Sequence, residues 1–396
     1  MSPPLTPTAR YVAVIQFVFL CCWTVYVVYL PSLLEGVGIA REVTVWLLLA
    51  DQVLFAVFDV AAGFAADRAR RVYARIGPWL VGTTMLSCAC FAALPWLPGS
   101  DDATWQAPLL LALTALWAIT SSALRAPVFA MITRHAARPA VPRLAAIMLM
   151  GTALASAVAP YLGTVLNGLD PRLPFALSSV ALVALSAGLM RAERHATSDT
   201  EPAREAPPLL RFRLPTLLGL IMLAALGFQA DANLNAGPRY LLDAPADTLP
   251  WLMPIFWIGF HLALTQAGRV TRAAGSTATL AIGCVFGALG ATLTALAPGL
   301  TAAAAAQLIA GLGWGLALSA VFGLIGEFGR ARNQHGGLTG ILFAILALAT
   351  FVRLGLSASG LARDAGWMPW ILAFPVLAWL TVAVFAGLAA QRTGPA

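Results

Sequence analysis

The chain has 396 residues, of which 60% are hydrophobic and 10% charged, with a formal net charge of +7. A soluble globular domain carries about 25% charged residues, so this composition excludes one and points to a helical protein embedded in a lipid bilayer. All 24 basic residues are arginines, and their positions report membrane orientation and contact with anionic lipid, not a nucleic-acid partner.

A helix needs about 20 apolar residues to cross about 30 Å of hydrocarbon. In chain order twelve such spans are predicted: 11–34, 43–66, 76–96, 106–133, 144–167, 173–190, 214–241, 249–267, 275–297, 302–326, 337–360 and 367–390. The first is full length and lacks a small-residue cleavage site, so it reads as a span and not as a signal peptide. The longest polar connection covers 191–213, mixes both charge signs and holds three prolines. It reads as a solvated linker between an N-terminal half, 1–190, and a C-terminal half, 214–396, with six spans each. Equal halves joined by one loop are expected of a transporter built from two repeats. A weak internal similarity agrees: Phe58-Asp59 precedes Arg68 and Arg71 in and after span 2, as Phe260-His261 precedes Arg269 and Arg272 in and after span 8.

Eighteen of the arginines fall in connections on the N-terminal side of the membrane, and four (Arg41, Arg172, Arg239, Arg363) on the other. The positive-inside rule then predicts both termini in the cytoplasm, in a bacterial-type inner membrane. The five cysteines all lie within spans, where Cys88-x-Cys90 reads as small hydrophobes or, less simply, a metal pair; the four histidines show no metal spacing. With no nucleophile–base pair and no G-x-x-x-x-G-K-[ST] loop, neither an enzyme nor direct use of ATP is expected, and no cofactor or metal.

The junction after span 2 reads Gly63-Phe64-Ala65-Ala66-Asp67-Arg68-Ala69-Arg70-Arg71. Gly63 permits close helix approach, Asp67 can accept hydrogen bonds at a helix terminus, and the arginines anchor the loop. The run resembles the G-x-x-x-D-R-x-G-R-R signature of the major facilitator superfamily, with Arg70 where the family has its second glycine. Tyr29-Leu30-Pro31 at the end of span 1 is similar to the proline motif of that superfamily's drug:proton antiporters. Gly151, Ala155, Ala159-Pro160, Gly163 and Thr164 in span 5 resemble their glycine-rich antiporter motif, with alanine or threonine replacing three glycines. The family's span 4 carries an arginine about ten residues before a proline; here Arg125 lies two residues before Pro127. The resemblance implies an all-α integral membrane fold of 12 transmembrane helices in two six-helix halves, with Gly63, Asp67, Arg68 and Arg71 in a loop that gates conformational change.

A charge at the bilayer centre costs from about 2.5 to more than 10 kcal/mol, so those present face protein or water and mark function. Asp51, Asp59, Arg125, Asp231 and Arg353 lie within spans, and His261 adds a titratable group; spans 3, 6, 9 and 12 hold none. In the major facilitator arrangement those four helices are the outer ones. Asp51 and Asp59 are about 80° apart around their helix and about 12 Å apart along it, as for two stations on one wet face. The two carboxylates, with His261 as a relay, are candidates for proton coupling; the alternative is a structural pair, Asp59 with Arg125 or Asp51 with Arg353. In span 7, Gln229, Asp231, Asn233 and Asn235 alternate, which predicts a locally unwound segment lining a cavity. Asp231 and Asn235 are candidate substrate contacts, and Arg125 and Arg353 could hold an anion. Trp46, Trp96, Trp105, Trp251, Trp367 and Trp370 sit near span ends as interfacial anchors, while Trp257 and Trp314 lie deeper. The expected function is secondary active transport of a small-molecule substrate by a monomer in the lipid bilayer, as a proton-coupled exporter. The alternatives are a proton symporter for a small anionic nutrient or a transport-inactive membrane sensor or assembly factor.

Overall fold

The computed structural model describes residues 5–73, 75–98, 103–137, 140–198 and 211–391. Among them there is no strand, and eleven helices are long and apolar enough to cross a membrane. Most of the linker, 199–210, together with Arg138 and Arg392, lies outside the described residues.

The helices of the first half are α1 (Thr6–Gly36), α2 (Val43–Tyr73), α3 (Gly77–Ala93), α4 (Gln106–Ser121), α5 (Ala126–Thr133), α6 (Val141–Leu166), α7 (Arg172–Ala187) and α8 (Leu189–Ser198). α1 does not stop at Tyr29-Leu30-Pro31 but runs through Pro31 to Gly36. α4 and α5 form one span interrupted by a 3-10 turn, Ser122–Leu124, and by Arg125 at φ −99°, ψ −96°. Pro127 explains the interruption: it has no N–H to bond back to the preceding turn, and its ring crowds that turn's carbonyl.

The second half holds α9 (Leu214–Phe228), a π-helical segment (Gln229–Asn235), α10 (Ala236–Tyr240), α11 (Leu249–Leu252), α12 (Pro254–Leu296), α13 (Leu300–Arg332), α14 (His335–Ala358) and α15 (Met368–Gln391). The segment expected to be unwound is therefore helical, with a widened turn that keeps backbone bonds satisfied while adding one residue per turn. α12 contains the eighth and ninth expected spans without a loop between them, which is why eleven spanning elements appear. Within it Gly275 has φ 80°, ψ 161° and joins two helices across a kink. Before the kink, Phe256 abuts Gly311 and Phe260 abuts Gly315 of α13; after it, Gly283 abuts Ala317 and Gly290 abuts Ala310. The two arms thus run in opposite directions along α13.

The most extensive packings between the halves are α2 against α14 and α6 against α12. The first is a backbone contact, because a Cβ at Gly63 would overlap the Gly336 carbonyl and one at Gly340 the Asp59 carbonyl. Small residues permit such approach where lipid supplies no hydrophobic drive for association. The ends of α2, α5 and α13 meet at one end of the bundle through Arg134 and Arg330, and this end is called the arginine-rich face. The opposite face carries Trp46, Trp96, Trp105, Trp251, Trp367 and Trp370, all more than half exposed.

Candidate functional site: a central cavity with an ion pair on its wall

A cavity of about 560 Å³ lies at the centre of the bundle. Its wall is built by α1 (Phe19, Trp23), α2 (Gln52, Phe55, Asp59), the α4–α5 break (Arg125), α6 (Thr152, Ser156), the π segment (Gln229, Asn233), α12 (Trp257) and α14 (Phe343, Thr350, Arg353). Among the described residues none of the lining comes from α3, α7, α15 or the arm of α12 after Gly275. These are the helices expected to carry no charge and to stand outside.

The cavity is closed toward the arginine-rich face. Phe343 of α14 lines the cavity, and behind it Phe129 of α5 meets it edge-on at 5.3 Å and stacks on Phe322 of α13 at 5.1 Å. Below that, Asp67 accepts hydrogen bonds from the backbone N–H groups of Gly336 (3.0 Å) and Gly337 (2.9 Å). It also accepts one from Arg134 Nη2 at 2.6 Å. One carboxylate thereby caps the first turn of α14 and ties it to α2 and the end of α5, where anion and helix dipole attract. Arg330 Nη2 adds a bond to the Ala136 carbonyl at 2.8 Å. Burial, then the neighbouring Arg70, push the Arg134 guanidinium down to about 10, while Asp67 and Glu193 oppose the shift. Burial, then Arg70 and Arg134, push His135 down to about 4. Gly63 and Asp67 thus sit at the α2–α14 contact; Arg68 is exposed, and Arg71 lies in the last turns of α2. Toward the other face the cavity reaches solvent past the exposed Asn233.

Asp59 and Arg125 meet on the cavity wall. Arg125 Nε donates to Asp59 Oδ1 at 2.9 Å, Asp59 being 1% and the Arg125 side chain 13% exposed. Arg125 Nη2 donates to Ser122 Oγ at 3.0 Å, and its guanidinium carbon lies 3.9 Å from the centre of the Phe55 ring. The backbone break at Arg125 aims the side chain inward, and Pro127, two residues on, is its sequence signal.

Asp51 departs from the expectation of a shared wet face. It is fully buried behind Trp23, accepts a hydrogen bond from Tyr26 Oη at 2.8 Å, and does not line the cavity; Gln52 does. The Asp51–Arg353 pair is not formed. Asp231 and Asn235 also face away: Asp231 accepts from Gln307 Nε2 at 3.2 Å, and Asn235 Nδ2 donates to the Ile371 carbonyl at 3.1 Å. The cavity side of the same segment belongs to Gln229 and Asn233, which bond each other at 3.3 Å; Gln229 Nε2 continues to Thr350 Oγ1 at 2.9 Å. Arg353 lines the cavity one turn beyond Thr350, and its buried Nε has no hydrogen-bond partner. His261 is half-buried on α12 and is not part of the cavity wall. Trp257 lines the cavity; Trp314 stacks behind it on Phe228 at 5.0 Å. Trp23, Gln52, Gln229 and Asn233 went unmarked as site residues in the sequence, because only the final helix rotation decides which neutral side chains face inward. No group of three or more candidate metal ligands occurs among the described residues.

Residues 12–352 match the family profile described as the Major Facilitator Superfamily. Solved structures share the fold over nearly the whole chain. A bacterial homologue of the iron transporter ferroportin, in its outward-facing state, is 13% identical with a TM-score of 0.75, covering 97% of this chain and 100% of that one. The human organic anion transporter MFSD10 (TETRAN) is 14% identical with a TM-score of 0.71, covering 98% and 99%. The E. coli fucose:proton symporter is 12% identical with a TM-score of 0.69, again covering 98% and 99%. No curated protein matches the chain in sequence. The profile spans most of the chain, and the central cavity between α2–α14 and α6–α12 contacts is the arrangement its fold provides: this chain belongs to the major facilitator superfamily.

Proposed function

We propose that the protein is a proton-coupled exporter of a small molecule, akin to the drug:proton antiporters, working by alternating access in a bacterial inner membrane. The observation that carries this reading is the Asp59–Arg125 ion pair, nearly excluded from solvent yet on the wall of a cavity open to one side. The arginine asymmetry supports cytoplasmic termini and hence an outward-open state. The reversal of direction at Gly275 supports twelve helices in two halves, 1–190 and 214–396, joined by the linker 191–213. A proton arriving from outside neutralises Asp59 and frees Arg125, at the level where Gly340 presses on the Asp59 carbonyl. Loss of the pair loosens α2 against α14, and substrate released outward gives way to the proton. Asp51 and His261 stand as reserve proton sites off the wall, while Arg125, Gln229, Asn233 and Arg353 contact substrate; Asp231 and Asn235 hold the back of the segment in this state.

The test is transport in proteoliposomes with an imposed pH gradient. Asp59→Asn is expected to abolish gradient-driven accumulation while leaving substrate exchange at equal pH. Full gradient-driven transport in that variant would sink the reading. A second reading, proton symport of a small anionic nutrient, is favoured by the buried Arg353 Nε, which has no hydrogen-bond partner among the described residues. Uptake that survives Asp59→Asn but is lost in Arg353→Ala would select it.

A further inference from the structure

A second cavity, of about 310 Å³, lies between the π segment, α14 and α15, beside the central one. Its walls are apolar, including Leu234, Val352, Trp370 and Phe374, and it opens past the exposed Val352 and Trp370 side chains near the arginine-poor face. Only two of its lining residues are polar, Gln229 and Arg353, and both also line the central cavity. Arg353 therefore stands between the central chamber and a lateral apolar one. Its Nε is buried without a hydrogen bond, and none of the ion pairs found joins it to a carboxylate. A guanidinium in the span interior without a counter-charge carries an unrecovered desolvation cost, and an anion seated on it would recover that cost.

We propose that this pair of chambers selects amphipathic organic anions as transported substrates: Arg353 holds a single anionic head group, and the lateral chamber takes an apolar tail entering between α14 and α15. This rests on the transporter reading for its role, but the binding it describes needs neither a proton gradient nor Asp59. Gln229, already bonded to Thr350, lines both chambers with Arg353. A hydrophilic anion leaves the lateral chamber empty, and an apolar cation meets Arg353 with like charge, so the geometry ranks ligands by both ends at once.

The experiment is calorimetric titration of the full-length protein in nanodiscs at equal pH, with octyl sulfate, methyl sulfate and octyltrimethylammonium as probes. Octyl sulfate is expected to bind at least about tenfold more tightly than methyl sulfate, through methylenes removed from water, and octyltrimethylammonium not measurably. Arg353→Gln should weaken octyl sulfate about tenfold or more through loss of charge-assisted bonds. Val352→Trp, which fills the lateral chamber and leaves the arginine in place, should bring octyl sulfate close to methyl sulfate. Equal binding of the anionic and cationic octyl probes, or unchanged octyl sulfate affinity in both variants, would overturn the proposal. The predicted ranking in a protein that moves no solute under a pH gradient would keep this inference and remove the transport reading. Asp59-dependent transport of other solutes without that ranking would remove this inference alone.

Discussion

Three aspartates of α2 stand in three different environments, and their partners set what each does. Asp51 is sealed behind aromatic rings with a neutral tyrosine, Asp59 shares a cavity wall with one arginine, and Asp67 gathers two backbone N–H groups and an arginine. Asp67 ties the start of α14 to α2 and to the end of α5, so Asp67→Asn is expected to weaken the closed arginine-rich end by about 1–3 kcal/mol. In a variant stripped of its native cysteines and carrying Phe343→Cys, alkylation from that face should then speed up several-fold; no change would remove the clamp role. The same corner sets a pH dependence. His135 has its folded pKa pushed down to about 4 from 6.5, by burial and then by Arg70 and Arg134. The unfolded chain binds that proton near 6.5 while the fold refuses it until about 4, so stability is full above 6.5 and falls as the pH drops through that window. Thermal unfolding followed from pH 7 to pH 4 should show the decline, and His135→Gln should make it shallower.

At the scale of elements, the departures from regular helix are where the site is made. The break before α5 turns Arg125 inward, and the π segment puts Gln229 and Asn233 on the cavity while Asp231 and Asn235 face α13 and α15. The sequence announced both places, through Arg125-Ala-Pro127 and through the polar alternation of span 7. It did not announce the outcome, because assigning faces requires the local period, and a π turn shifts every later residue relative to a 3.6-residue helix. The missing loop in α12 has a similar cause: an apolar run with one glycine does not state whether the chain continues or folds back. Gly275 decides it, at a φ and ψ that only glycine adopts readily. Gly275→Ala is therefore expected to cost about 1–3 kcal/mol and lower the thermal midpoint, whereas Gly219→Ala, at an ordinary helical position with open space around it, should leave it unchanged.

For the whole molecule, the apolar spans were legible because hydrocarbon imposes both length and polarity on every segment at once. The Asp59–Arg125 pair was one of two pairings the sequence offered and is the one that forms, whereas the Asp51 partner was not legible, because Asp51 could reach Tyr26 only once α1 and α2 were in register. The same packing suggests how one conformation gives way to another. Toward the arginine-rich face the α2–α14 contact is backbone on backbone, with Gly63 against Gly336 and no room for a Cβ. A side chain there is compatible only with a state in which the two helices have parted. Gly63→Leu should consequently bias the protein away from the state closed at the arginine-rich face, since a ligand or substitution shifts an equilibrium by its differential effect on the two states. In spin-label distance measurements between the α2 and α14 ends, wild type is expected to give one short distance and the variant a longer one in the majority. Gly163→Leu, whose Cβ would meet only Val28 at 3.9 Å, should leave the distribution as it is. A short distance retained in Gly63→Leu would mean that the clamp yields locally and that α2 and α14 do not separate as rigid helices.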